Sequence, residues 1–214
     1  MNEKTSLIFG STGFIGSKTI DFLLNFSGSI IAVNRQEKFG LGKQVNQIVT
    51  KDLNLSNLDL PNIDHVYICL GTKLRAWELI KMSKKKRNTF IKTDLELVVE
   101  VAKKAKSLGA KTISLISAVG VKEGSFNTYM DTKGKVEKEI IKMQFESVNF
   151  FRPGHLQGKA LTEKWDTAIA DFFSKILDFF LFGPFSKFKS IDGDTVAKAM
   201  VLETKKSKSG VNYF

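Results

Sequence analysis

The chain has 214 residues, 43% of them hydrophobic, with 33 Lys and Arg against 22 Asp and Glu, 3 Pro and 1 Cys. That length suits one domain, and that apolar content excludes an intrinsically disordered chain. A single Cys excludes a disulfide framework and a cysteine-based zinc cluster. Met1-Asn2-Glu3-Lys4 carries no signal-peptide pattern, and no apolar run reaches the ~20 residues of a spanning helix. The expectation is a cytoplasmic protein without a transmembrane segment. A formal charge of +11 raises a polyanionic partner, yet 29 of the 33 bases are Lys, and only Arg35, Arg75, Arg87 and Arg152 are Arg. Dispersed Lys reads as solvated surface, and the shortage of Arg argues against nucleic-acid binding.

In chain order, Thr5 to Phe9 is a short β-rich run, and Phe14 to Phe26 shows helical spacing of apolar residues. Gly28 stops that helix, and Ser29 to Val33 reads as a second buried strand. Gln47 to Thr50 is a weak third strand and His65 to Cys69 a fourth. A helix is predicted from Thr93 to Leu108, with Thr93 as N-cap, Glu96 in the capping-box position and Gly109 as stop. Lys111 to Ile116 is a fifth strand, Thr128 to Met143 a helix, and Ser147 to Phe151 a sixth strand. Asp192 to Glu203 looks like a short capped helix, and Val211 to Phe214 like a last edge strand. Nearly all-apolar strands alternating with helices imply a doubly wound α/β fold with a parallel sheet. The chain thus reads as a single domain over 1–214, with 155–210 as a small lid or substrate-side elaboration.

Between the first strand and helix lies Gly10-Ser11-Thr12-Gly13-Phe14-Ile15-Gly16. A glycine turn there lets amides at a helix N-terminus face a pyrophosphate, whereas an isolated glycine pattern is only a turn. Strand before, helix after and second strand beyond supply the context a dinucleotide needs. Strand two ends Asn34-Arg35 with no acid for a ribose 2′-hydroxyl, and Arg35 could pair with a 2′-phosphate. This favours NADP(H) over NAD(H); the alternative for Arg35 is a plain surface residue.

Tyr129 and Lys133 are four apart and share one helix face. An ammonium there would lower the phenol pKa and suit Tyr129 to proton transfer with a carbonyl or alcohol. Ser117, at the end of strand five, could bond the same oxygen. The pair alone carries little, because 29 Lys and 3 Tyr make a chance match common; its place after strand five gives it weight.

These motifs resemble the atypical or extended short-chain dehydrogenases, nearest the small NAD(P)H-binding proteins of the Tat-interacting, NmrA-like branch. The resemblance covers residues 5–155, with a weaker match at Asp194 to Met200. It implies that Asp52 and Leu53 flank the adenine and that Leu70, Gly71 and Thr72 back the adenosine ribose. It implies a Ser117-Tyr129-Lys133 triad, with Lys133 also touching the nicotinamide ribose. Arg152, Pro153 and Gly154 match the family's later motif, with Pro153 over the nicotinamide. The reading is an NADP(H)-binding oxidoreductase acting on a small-molecule carbonyl or alcohol. Two alternatives stay open: a dinucleotide-binding sensor without turnover, and a nucleotide-sugar epimerase or dehydratase, disfavoured by the short region after Arg152. His155 is a loop residue that could face substrate. His65 and Cys69 lack metal-ligand spacing, so no metal is expected.

Two stretches remain. Residues 163–188 are Phe-rich on more than one helical face, fitting core, lid, dimer surface or membrane-interface contact. Residues 73–92 carry Lys73, Arg75, Lys81, Lys84, Lys85, Lys86, Arg87 and Lys92 against Glu78. That run reads as solvated, or as the seat of an anionic substrate or an acidic protein partner.

Overall fold

The computed structural model describes residues 4–26, 28–50, 60–75, 78–79, 81–154 and 191–214, together with the backbone of 156–157. Asp52, Leu53, His155 and the Phe-rich stretch lie outside the described residues.

Strands β1 (Ser6–Phe9), β2 (Ile30–Asn34), β3 (Val45–Val49), β4 (His65–Ile68), β5 (Thr112–Ile116) and β6 (Ser147–Phe151) follow the predicted runs closely. All their pairings are parallel, and the sheet order is β3-β2-β1-β4-β5-β6, closed at the far edge by the C-terminal strand. Helix α1 (Phe14–Leu23) follows β1. Alternate side chains leave a strand on opposite faces, so Leu7 and Phe9 enter one core and Ile8 the other. The first core is covered by Val98, Val101, Val136 and Ile140 from helices after β4 and β5; the second is covered by Ile15, Ile20 and Leu23 of α1. Burial on both faces is why these strands are apolar throughout.

The helix predicted at Thr93 starts about two and a half turns earlier. Helix α2 (Lys84–Ile91) is capped by Ser83, whose Oγ accepts the Lys86 N–H at 3.3 Å. It runs without a break through a π turn, Lys92–Glu96, into α3 (Leu97–Ser107). Thr93 and Glu96 therefore form no capping box, because the backbone is already helical at Ile91 (φ −59°, ψ −46°). Helix α4 (Thr128–Lys142) follows β5. Part of the basic run thus becomes the first turn of α2, with Lys84, Lys85 and Arg87 in solvent.

The boundary of the elaboration also moves. Helix α5 (Gly193–Lys206) packs on α1 and contributes Val196, Ala197, Met200 and Val201 to the second core. The last strand pairs parallel with β6 from Ser147↔Gly210 to Phe150↔Tyr213. Two short strands, β7 (Leu156–Gln157) and β8 (Ile191–Asp192), pair in a separate ribbon, and the C-terminal edge strand β9 is Gly210–Tyr213. Residues 193–214 belong to the layered body.

Candidate active site

Because the chain goes from β1 outward to β3 and then returns to β4, a crevice opens beyond the ends of β1 and β4. Glycines shape its floor. Gly10 has φ +80°, and a Cβ there would stand 2.6 Å from the Cys69 carbonyl oxygen. A Cβ on Gly16 would stand 2.1 Å from the Gly10 carbonyl oxygen, so α1 meets the loop only without a side chain. Gly13 is the N-cap of α1, without a capping side chain or an acid in the first turn. Its N–H returns to Gly10 O at 3.0 Å, and Ser17 N–H reaches Gly13 O at 2.9 Å. Among the described residues, the amides of Phe14, Ile15 and Gly16 between them meet no acceptor. Free amides at the positive end of a helix fit a pyrophosphate. Gly16→Ala should cost about 2 kcal/mol through overpacking, lowering the melting temperature on the order of 5 °C, and dinucleotide affinity should fall with it. Thermal unfolding with and without dinucleotide checks both.

At the end of β2 the residues divide by role. Ser11 Oγ donates to Asn34 Oδ1 at 2.5 Å, and both side chains are buried. Gln47 accepts the Lys38 N–H at 3.0 Å and donates to Lys38 O at 2.9 Å. Ser11 and Asn34, expected at the cofactor, thus engage each other and brace the loop. Thr12, Arg35, Gln36, Glu37 and Lys38 line an open pocket of about 730 Å³. Lys38 Nζ reaches Ser11 O at 3.3 Å; burial lowers its pKa, against an upward pull from Asp21. Sequence spacing did not single out Lys38, which lies beyond the Asn34-Arg35 pair and is brought in by Gln47.

Helix α4 carries the remaining chemistry. Asn127 Oδ1 caps it, accepting the Tyr129 N–H at 2.9 Å and the Met130 N–H at 3.1 Å. Tyr129, Lys133 and Glu137 then recur every four residues along one face. The Tyr129 ring stacks on Phe90 with centroids 5.6 Å apart. Lys133 is 6% exposed, and its Nζ lies 2.9 Å from Asp94 Oδ1 in the π turn. The other Asp94 oxygen accepts the Thr72 N–H at 2.8 Å. The carboxylate thereby joins the loop after β4 to the lysine, and the Thr72 hydroxyl oxygen is buried without a partner among the described residues. That orphaned group is a second sign that this loop faces a ligand.

The phenol does not have the lowered pKa expected from Lys133. Burial pushes it up, Lys133 pulls it down, and Asp94 pushes it up again, for a net rise. Ser117, also expected to serve the substrate oxygen, donates its hydroxyl proton to Glu137 Oε1 at 2.5 Å. Oriented so, it offers lone pairs: it can accept from an alcohol but cannot donate to a carbonyl. Glu137 binds the Arg152 guanidinium through both Nε and Nη2, and Arg152 lies over the Tyr213 ring at 4.1 Å. Arg152 thus acts inside the protein, whereas it was expected at the cofactor. Pro153 O accepts the Val119 N–H at 3.2 Å, which ties together the loops after β5 and β6. Leu70 packs on the first core, and Gly71 is exposed with only Asp94 Oδ1 near its absent Cβ, at 3.6 Å.

Comparison with known proteins gives the family and the fold. The family model described as NAD dependent epimerase/dehydratase family matches residues 6–202. The protein named FMP52, mitochondrial, from Kluyveromyces lactis is 30% identical over 72% of this chain and 68% of its own length. Its Debaryomyces hansenii counterpart is 29% identical over 92% of this chain and 86% of its own. Rat HTATIP2 is 26% identical over 73% of this chain and 64% of its own. The chain spans about two thirds of the length of several such relatives, 66% for the Meyerozyma guilliermondii protein. Among solved structures, an oxidoreductase of the short chain dehydrogenase/reductase family from Burkholderia thailandensis superposes with TM-score 0.72 at 14% identity, covering 100% of this chain and 91% of its own. MoeE5 in complex with UDP-glucuronic acid and NAD gives 0.70 at 17%, covering 98% and 75%. These likenesses carry the fold. The expectation of a cytoplasmic protein is overturned, since the yeast relatives are named as mitochondrial proteins. With the family model matched from residue 6 to residue 202, the chain belongs to the NAD dependent epimerase/dehydratase family.

Proposed function

We propose that the protein is an NADP(H)-dependent oxidoreductase of the atypical short-chain dehydrogenase type, interconverting a small carbonyl compound and its alcohol. The observation that carries the reading is Lys133, buried beside Tyr129 and linked through Asp94 to the Thr72 backbone in the loop after β4. The chain from Lys133 through Asp94 to Thr72 supports a place for the Tyr129 phenol beside the crevice. The α1 amides would hold the pyrophosphate, and Arg35, Lys38 and Thr12 would line the seat of a 2′-phosphate. When bound, the reduced dinucleotide supplies a hydride to the carbonyl carbon. Tyr129 gives its proton to the carbonyl oxygen, its O–H bond breaking as the alcohol O–H forms. The phenolate left beside Lys133 recovers a proton from solvent. Burial keeps the phenol protonated for that step.

Cofactor choice is the direct test of the β2 end. Calorimetric titration should give a lower Kd for NADPH than for NADH. Arg35→Ala and Lys38→Ala should each narrow the gap, by roughly the tenfold that one charge-assisted contact of ~1.5 kcal/mol provides. Equal affinities in the unaltered protein would remove the role given to both cations.

One observation favours a second reading, a dinucleotide-binding module without turnover. Ser117 and Lys133 each already engage an acid, Glu137 and Asp94. Dinucleotide binding without NADPH oxidation, unaffected by Tyr129→Phe, would favour that reading.

A further inference from the structure

Two helices meet here through matched pairs. Phe90 and Asp94 stand four residues apart across the join of α2 and the π turn; Tyr129 and Lys133 stand four apart on α4. Ring meets ring at 5.6 Å, and carboxylate meets ammonium at 2.9 Å. The π turn is confined to Lys92–Glu96, and such one-turn bulges collect at functional sites. Asp94 is 1% exposed. A carboxylate so buried is sustained by a cation and hydrogen bonds, here Lys133 and the Thr72 N–H.

The consequence falls on Tyr129. An ammonium beside a phenol favours phenolate, and a carboxylate bonded to that ammonium cancels much of its field. The charged groups acting on the phenol are Lys133 from its own helix and Asp94 from the π turn. Helix α2 presents the Phe90 ring to Tyr129, and its Arg87 acts on Asp131 in the first turn of α4. In the 122–125 loop, Lys122 reaches α4 by its backbone N–H to Met130 O, and Glu123 is paired with Lys138.

We propose that Asp94 is a positioning residue that clamps Lys133 to the 70–72 loop and neutralises it, so that Tyr129 holds its proton and the site is set to donate rather than withdraw one. The inference rests on the Tyr129–Lys133 reading above and extends it: the resting phenol is protonated, the form that acts as proton donor to a carbonyl oxygen.

The test needs no turnover. Phenolate absorbance is followed against pH in the dinucleotide-free protein, and the Tyr129→Phe curve is subtracted to remove Tyr67 and Tyr213. Tyr129 should ionise above the ordinary tyrosine value of ~10. Asp94→Asn, close in shape, should bring the ionisation down by at least about one pH unit, because Lys133 is no longer neutralised. Lys133→Met in that background should abolish the drop. Lys133→Met alone should move Tyr129 the opposite way, upward, which keeps the proposal testable if Asp94→Asn does not fold. Identical titrations for wild type and Asp94→Asn, or for wild type and Lys133→Met, would overturn it. A protein that titrates as expected yet reduces no carbonyl would instead count against the oxidoreductase reading.

Discussion

Tyr129→Phe should leave dinucleotide affinity within about twofold of the unaltered protein and cut carbonyl reduction by ~10²-fold or more, the usual scale of lost general acid catalysis. That factor corresponds to ~2.7 kcal/mol of barrier. The substitution is clean because the ring is held by stacking on Phe90, and the backbone N–H by the Asn127 cap; Phe keeps both. Only the hydroxyl is lost. Lys133→Met should behave differently, damaging turnover and dinucleotide affinity together, because it also leaves Asp94 buried without its cation beside the Thr72 loop. Steady-state kinetics for any substrate found in a screen of aldehydes, ketones and quinones, alongside calorimetry, separate the two variants. Full activity in Tyr129→Phe would sink the assignment. A non-catalytic module predicts unchanged dinucleotide binding in Tyr129→Phe and no activity to lose.

The parts of the molecule legible in the sequence are those with a local physical signature. β1, β2, β5 and β6 are buried on both faces, so each is a short apolar run, and each predicted strand lies within a residue or so of its observed place. The glycine loop is legible because Gly10 and Gly16 meet steric demands that no other residue meets. Helix α2 is not. Its first turn is Lys84-Lys85-Lys86-Arg87, with no acid, and basic residues at a helix N-terminus oppose the dipole and hide the start. The local signal was Ser83, a good cap standing before an unfavourable turn. Thr93 and Glu96 mimic a capping box in the middle of a helical stretch, where tertiary packing of Phe90 and Asp94 decides the backbone. Lys38 and Asp94 are invisible to spacing arguments because their meaning lies in partners from other elements, Ser11 and Gln47 for the one, Lys133 and Thr72 for the other. Glu137 could have been found: it continues the Tyr129–Lys133 stripe by one more turn.

That stripe's last member carries a large expected effect on stability. Glu137 is 5% exposed and accepts from Ser117 and from the Arg152 guanidinium, which also covers Tyr213 of the edge strand β9. One carboxylate thus connects β5, α4, the exit of β6 and β9. Glu137→Leu preserves volume but strands a guanidinium and a buried hydroxyl. Removing one member of a buried pair costs ~3–5 kcal/mol, and the lower end applies here because the Arg152 side chain is 31% exposed. For a chain of this size, ~3 kcal/mol lowers the melting temperature on the order of 10 °C. Glu137→Gln, which can still accept from Ser117 or Arg152, should lose roughly half as much. The double variant Glu137→Leu with Arg152→Met removes both charges. Replacing a pair by apolar groups is often close to neutral, so it should be more stable than Glu137→Leu alone, with a coupling of about 2 kcal/mol in a double-mutant cycle. Denaturant unfolding of the four proteins measures this directly. Additive losses would mean that Glu137 and Arg152 stabilise the fold independently, and the network joining Ser117 to the edge strand would then have no energetic reality.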